Sequence, residues 1–544
     1  MQPSALAKRL VVLLFLITVA FYFYGLGHLP LVGPDEPRYA QVAREMFLRG
    51  DLITPTLAGH TWFEKPALFY WMMIAAYKIF GVNEFAVRIG AAACGLLTIL
   101  AVWVLTRKFE CRQSDELKGL SSWSALAMAT SLGLIVFSRG ATFDVVVTMP
   151  ITWAFVCFLS QESAIKKKNR QLLLLAFYAA IGVALLAKGL VGLVIPAGVI
   201  ALYYIVARKK PSRETFISLL WGLPVVLLVS ALWYGPVIAR HGWSFINEFF
   251  VQHHFARYVS DKYQHRQRFY FYIPILLMLA LPWSAIFIDS IAHLRFSKQR
   301  EKNPDEQLTL FALSWIVFPL LFFSLSGSKL PGYILPVLPA VAILTGDRMR
   351  RLASNQHANW SLIATGAIAI ALAAGGVYYA KRSGAFSTTR ALIVTLPLWI
   401  AGLMTFVLRR KTATALLTVA LGTVLSVVAS LRLAAVQVAQ RQSVRDLIVA
   451  ADRRGLANAP IFIRRGSDRT AEFYASDRVV YGSNGEPQPL EELPEIVAEA
   501  KRRGQIILVL IPVEYLENYK RSPEVEILAD NGNLALIATK SESR

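Results

Sequence analysis

The sequence predicts a polytopic α-helical membrane protein that ends in a small α/β soluble domain. Three observations predict it. Hydrophobic residues make up 55% of the 544 and charged ones only 17%, a balance suited to a chain solvated by lipid. The cations behind the net charge of +22 fall in short clusters between apolar runs: Arg107-Lys108, Lys166-Lys167-Lys168, Arg208-Lys209-Lys210, residues 295–302, Arg348–Arg351 and Arg409-Arg410-Lys411. Alternate loops are poorer in them, the positive-inside pattern, which orients the chain and argues against a nucleic-acid surface. Thirdly, the composition changes near Gln437, where long apolar runs give way to short alternating ones.

The apolar runs lie near 10–29, 84–106, 119–137, 142–160, 171–187, 190–207, 216–238, 270–292, 308–325, 332–347, 359–380, 390–408 and 412–433. Read as about 13 transmembrane helices, several are barely long enough for a bilayer of roughly 30 Å. Lys8-Arg9 precedes the first run. That run is too long for a cleavable signal and is followed by no small-residue cleavage site, so it reads as a span entering from the cytoplasm. An odd number of spans places the C-terminus outside. The expected division is 1–436, a membrane domain with long outer loops 30–83 and 239–269, and 437–544, an outer α/β domain of ordinary size.

The first outer loop carries the densest charge: Gly33-Pro34-Asp35-Glu36-Pro37-Arg38-Tyr39, then Phe63-Glu64-Lys65-Pro66. Pro34-Asp35-Glu36-Pro37 reads as a helix N-cap with proline in the first turn, opening an amphipathic helix with Tyr39, Val42, Ala43, Met46 and Phe47 on one face. Ala67–Phe80, apolar and aromatic, suits a second helix lying in the membrane interface. The second outer loop is rich in aromatics, histidines and arginines, among them His253, His254, Arg257 and Tyr258.

In the last hundred residues, Ile461–Ile463, Arg478–Tyr481, Ile506–Leu510 and Leu534–Ile537 alternate as strands do, and Glu491–Arg503 reads as a helix between them. Cys94, Cys111 and Cys157 form no pattern of a disulfide or metal site.

Charges at a membrane boundary mark function by default. Arg38, Lys65, Arg257 and Lys329 arrive from three loops on one side and suit a phosphate presented by a lipid; singly, each reads as a snorkelling cation. Asp144, just inside an apolar run, calls for a partner, with Arg139 or Lys65 at hand. Lys188 reads as an interface anchor. Two acids, Glu36 or Glu64, with His253 or His254 offer ligands for a divalent metal ion, although the spacing matches no metal motif and an ordinary Glu64–Lys65 ion pair is the plainer reading.

The order of a span, then Gly-Pro-Asp35-Glu36-Pro-Arg38-Tyr39-Ala, then Phe-Glu64-Lys65-Pro66 resembles the GT-C membrane glycosyltransferases. The branch most similar holds the lipid A aminoarabinose transferases and the bacterial protein-mannosyltransferase-like enzymes. Lys329-Leu330-Pro331-Gly332-Tyr333-Ile334-Leu335-Pro336 and Gln252-His253 with Arg257-Tyr258 extend the resemblance, as do the span count and the terminal soluble domain. It implies a polyprenyl (undecaprenyl) phosphate sugar donor, used on the outer face of a bacterial inner membrane. It also implies transfer to an envelope acceptor, foremost aminoarabinose to a lipid A phosphate, the lipopolysaccharide change behind polymyxin resistance. By the same resemblance Asp35, Glu36 and Asp144 are the catalytic acids, and Lys65, Arg38, Arg257, Tyr333 and Lys329 hold the donor phosphate. The Pro37 after Glu36, and the lack of an Asp-Pro pair near Asp144, depart from the aminoarabinose branch and bear on the sugar and the acceptor.

A lipid-linked donor fits the residues, since its leaving group lies in the membrane surface and needs no nucleotide-binding loop. Two alternatives stand beside it: another sugar transferred to a protein or glycan hydroxyl, and a transporter or flippase for lipid-linked sugars. A transporter more often places charges at mid-membrane in broken, repeated helices.

Overall fold

Helices account for nearly every apolar run. The computed structural model describes residues 5–111, 117–256, 267–294, 304–354, 360–464, 469–482 and 485–540. The helices that matter here are α1 (Ala5–Phe23), α2 (Asp35–Arg49), α3 (Leu68–Phe80), α4 (Glu84–Glu110), α5 (Leu120–Thr130), α6 (Leu132–Arg139), α7 (Phe143–Glu162), α8 (Lys167–Lys188), α9 (Val191–Val206) and α10 (Arg213–Ile246).

Among the described residues eight helices are long and apolar enough to cross a membrane, or ten when two bent pairs each count as one crossing. The protein is a multi-pass membrane protein. The expected thirteen is not reached on this measure. α1 enters this measure only over Leu13–Phe23, and α9 and the run at 332–347 are helical but shorter, the last beginning as a tight 3-10 helix, Pro331–Val337, before Leu338–Ser354. The run at 270–292 turns by 115° between Tyr272–Leu279 and Ser284–Ala292, and α5 and α6 meet at 54°. Neither bend is visible in hydropathy, which registers apolar length but not direction.

α2 and α3 form as expected. Buried Tyr39, Val42, Ala43 and Met46 line one face of α2, and its last turn closes on Gly50 in the left-handed conformation (φ 65°), its N–H returning to the carbonyls of Met46 and Phe47. That position suits glycine, which lacks the Cβ that disfavours it. Between the two helices Thr56–Leu57 (β1) and His60–Thr61 (β2) pair antiparallel.

The C-terminal segment holds a four-stranded sheet in the order β3-β4-β6-β5, built from Ile461–Ile463 (β3), Leu508–Pro512 (β4), Val525–Asp530 (β5) and Leu534–Thr539 (β6). β3 runs parallel to β4, and the other neighbours are antiparallel. Every residue of β6 is buried, because apolar side chains cover both faces of the sheet.

Two strand expectations change. Arg478–Tyr481 makes only isolated bridges, Ile461 to Val479 and Tyr481 to Pro487. β5 was missed, although Asn531-Gly532 between alternating runs is a hairpin signal.

Candidate active site

Two neighbouring acids at the start of α2 have opposite fates. Glu36 is buried, and both its oxygens are taken. Oε1 and Oε2 each receive a guanidinium N–H of Arg88 at 2.7 Å, and the backbone N–H groups of Ala141 and Val32 donate to them at 3.0 and 3.2 Å. Arg88 in turn donates to the carbonyls of Leu26, Leu29 and Pro30. One buried ion pair therefore ties the 26–36 segment to α4 and to the start of α7. That corrects the grouping of Glu36 with the catalytic acids: a carboxylate with four donors has no lone pair directed at a substrate. Arg88 went unnoticed in the sequence although its signal was plain, a lone cation inside Phe85-Ala86-Val87-Arg88-Ile89-Gly90 that needed a buried partner.

Asp35 is exposed. The N-cap of α2 is Pro34 and no side chain caps the helix, so the capping role expected of Asp35 falls away. Its carboxylate makes no hydrogen bond or ion pair among the described residues, yet it lies close enough to Tyr39 and Tyr70 to act on them electrostatically.

Around it stands a cation–anion–cation group. Glu64 accepts from Lys65 Nζ at 2.8 Å and faces Arg38 at 3.9 Å, with all three side chains about 15% exposed. Arg38 also lies over the Trp62 ring, 5.4 Å from its centroid. Burial, and then the negative charge of Glu64, pushes the hydroxyls of Tyr39 and Tyr70 well above the usual tyrosine range. Both remain neutral donors.

A second group forms where α7, α8 and the Pro331–Val337 turn converge. Asp144 pairs with Lys188, and not with Arg139 or Lys65 as expected. Arg139 instead donates to the carbonyls of Phe21 and Tyr24 and lies over the Phe21 ring. Lys188 is therefore more than an interface anchor: besides Asp144 it lies over the Tyr333 ring, 4.8 Å from the centroid. Gly332 packs so closely on the Asp144 carboxylate and on Phe137 that a Cβ would have no room there.

The two groups are joined through Phe143, whose ring meets Tyr39, Phe69 and Tyr70 edge-on at 4.9, 5.1 and 5.5 Å between centroids. Lys329 is only 6% exposed, and its ammonium donates to the Ser326 carbonyl of its own loop at 2.6 Å.

Arg257 lies outside the described residues, as does the side chain of His254. His253 falls on the π-helical turns Asn247–Ala256 that follow α10. Among the described residues no three His, Cys, Asp or Glu side chains gather as a metal site. The proposed pairing of Glu64 with His253 meets a further obstacle, since Glu64 is already held between Lys65 and Arg38.

The arrangement brings the cations Arg38 and Lys65 together on Glu64, in a neighbourhood that also holds Asp35, a carboxylate without a partner among the described residues. Comparisons with known proteins place it. A family model described as dolichyl-phosphate-mannose-protein mannosyltransferase matches residues 8–246. The ArnT of Cupriavidus metallidurans in its apo state superposes with a TM-score of 0.77 at 25% identity, over 99% of each chain. The fold is that of the GT-C membrane glycosyltransferases.

The same GT-C protein bound to undecaprenyl phosphate superposes with a TM-score of 0.76 at 23% identity, over 98% of this chain and 99% of that one. Several curated relatives carry the name undecaprenyl phosphate-alpha-4-amino-4-deoxy-L-arabinose arabinosyl transferase. That of Aeromonas salmonicida is 34% identical over 60% of this chain and 58% of its own length. That of Erwinia tasmaniensis is 33% identical over 68% and 66%. The chain thus spans less than two thirds of the length of these relatives.

Proposed function

We propose that this GT-C chain is an inverting glycosyltransferase that moves a sugar from undecaprenyl phosphate to an envelope acceptor, foremost aminoarabinose to a lipid A phosphate. One observation carries the proposal: Asp35, exposed and with no hydrogen bond or ion pair among the described residues, shares the surroundings of Tyr39 and Tyr70 with Arg38 and Glu64, and the Asp144–Lys188 pair begins one residue after Phe143, whose ring packs on those tyrosines. The names of the relatives and the lipid in the Cupriavidus structure support the same substrate class.

In the reaction the bond between the anomeric carbon and the donor phosphate oxygen breaks, its electron pair leaving on undecaprenyl phosphate. A bond from the acceptor oxygen forms on the opposite face. Preorganised cations stabilise the charge that develops on the leaving phosphate, the task assigned to Arg38 and Lys65, with Tyr333 from the second group and Arg257 from the second loop. Glu64 keeps those two cations apart and oriented. A phosphate acceptor is already ionised, so Asp35 orients it; a hydroxyl acceptor would need Asp35 to take its proton.

The reading further places the protein in the bacterial inner membrane with residues 30–83 and 437–544 on the periplasmic side. A membrane-impermeant thiol reagent tests this: Lys520→Cys is expected to react in intact spheroplasts, and Cys111 only after they are opened. The reverse pattern refutes the orientation. For the activity, purified protein in lipid is given undecaprenyl phosphate-linked aminoarabinose and lipid A. Mass spectrometry is expected to find the acceptor heavier by one aminoarabinose residue, and no such product with authentic substrates refutes the assignment.

A further inference from the structure

The C-terminal sheet is held against the segment that carries Asp35, through a set of contacts the reaction above does not use. Tyr474 ends the short helix Ala471–Tyr474. The Leu31 N–H donates to its hydroxyl oxygen at 2.7 Å, and that hydroxyl donates to Glu84 Oε1 at 2.9 Å. Arg445 donates to the same Glu84 oxygen at 3.2 Å, and Arg44 of α2 donates to the Phe473 carbonyl at 3.3 Å. Phe473 is buried in the core shared with α2, α3 and α4.

Segment 26–36 is thus gripped twice. Arg88 takes the carbonyls of Leu26, Leu29 and Pro30 from the membrane core, and Tyr474 takes the Leu31 N–H from the C-terminal unit. Asp35 follows four residues later, exposed and, among the described residues, without a hydrogen-bond or ion-pair partner to fix it. Its place is therefore set by its backbone, and that backbone is set by the two grips. Glu84 sits at the start of α4, one turn before Arg88, so both grips are anchored on the same helix. Burial, and then the nearby Glu84, raises the Tyr474 hydroxyl far above the usual tyrosine range, so the hydroxyl keeps the proton it donates.

We propose that Tyr474 is a positioning residue for glycosyl transfer: it makes the C-terminal unit the outer support of the Asp35 segment, and the membrane portion is incomplete without it. The proposal rests on the role given to Asp35 above, and it reaches past that reading by giving the C-terminal unit a task. Misplacement of a reacting group by about 1 Å can cost on the order of 100-fold in rate. Loss of one of two grips is expected to cost roughly 10-fold.

Tyr474→Phe in the full-length protein keeps the ring and removes both hydrogen bonds. Turnover and hydrogen exchange are measured together. The expected result is a kcat lower by about 10-fold with the KM for the lipid donor within about twofold, because Arg38 and Lys65 are untouched. The amides of 30–36 should exchange faster, with α3 and α4 unchanged. Wild-type kcat overturns the proposal, and so does a loss of protection spread over the whole chain, which would make Tyr474 a stability residue only.

If Tyr474→Phe does not accumulate in the membrane, Arg445→Gln loosens the same latch from its outer side. It is expected to lower kcat about threefold with donor KM unchanged, and an unchanged kcat again overturns the proposal. If the wild-type chain does not transfer aminoarabinose, the functional assignment fails by itself. The exchange measurement then decides the latch: selective loss of protection at 30–36 upholds it, and unchanged protection overturns it.

Discussion

Glu36 and Asp35 are adjacent in sequence and differ in everything else. The first receives four donors in a buried site and binds three stretches of chain together. The second is exposed and meets no donor among the described residues. Burial is what separates them. A carboxylate withdrawn from water must have its lone pairs satisfied inside the protein, whereas one that faces water keeps them for a ligand. The comparison extends to the cations: Arg88 is consumed by structure, while Arg38 and Lys65 both meet Glu64 and, under the proposed function, serve an incoming phosphate.

The largest effect expected from this contrast is on folding. Arg88→Ala strands the buried Glu36 charge, and breaking such a pair from one side costs about 3–5 kcal/mol. Membrane yield and thermal unfolding in detergent should both fall. A variant as stable as the wild type would mean that the clamp does not hold the 26–36 segment.

Lys65→Ala should leave folding intact and act on chemistry. Removing one preorganised charge from the leaving phosphate costs on the order of 2–4 kcal/mol in transition-state stabilisation, read as kcat/KM with purified donor lipid. Undiminished kcat/KM removes Lys65 from the phosphate site.

Asp35→Asn discriminates between acceptors. With an ionised lipid A phosphate the loss is expected to stay below about 10-fold, whereas a hydroxyl acceptor deprived of its base would lose about 10²–10⁴-fold. Full activity would show that the freedom of Asp35 has no use in catalysis.

The smallest effect lies far from the membrane. In the helix Leu493–Arg503 the guanidinium groups of Arg502 and Arg503 outweigh burial and hold Glu499 down at about 2. An unfolded glutamate titrates near about 4.3, so this pair contributes fully above that pH and is lost as pH falls through about 2. Exchange protection of the helix should decline over that window, and Glu499→Gln should flatten the decline. An identical acid profile in the variant would show that the pair contributes nothing.

Much of this contrast was written in the sequence, and some was not. The motif from Gly33 to Tyr39 and the pair Glu64-Lys65 marked the right loop, and the amphipathic spacing of Tyr39, Val42, Ala43 and Met46 gave α2 its buried face. Periodicity reports a residue's own helix, however, and not its partner across the fold. Hence Asp144 was assigned the wrong cation and Glu36 the wrong task. The pairing of Glu36 with Arg88 spans 52 positions and that of Tyr474 with Glu84 spans 390, distances over which a local pattern carries no information. Hydropathy likewise counted apolar runs while leaving the 115° turn at 270–292 invisible.

The ring of Phe143 has a consequence for how the protein responds to ionic strength. Salt screens exposed charges over a Debye length of about 8 Å at physiological concentration and acts much less on charges that are mostly buried, and the side chains of Arg38 and Lys65 are only about 15% exposed. The edge contacts of Phe143 with Tyr39, Phe69 and Tyr70 carry no net charge and are not screened. Concentrated salt is therefore expected to leave the spacing between the two charged groups as it was, and, under the proposed function, to act only weakly on a phosphate held at Arg38 and Lys65.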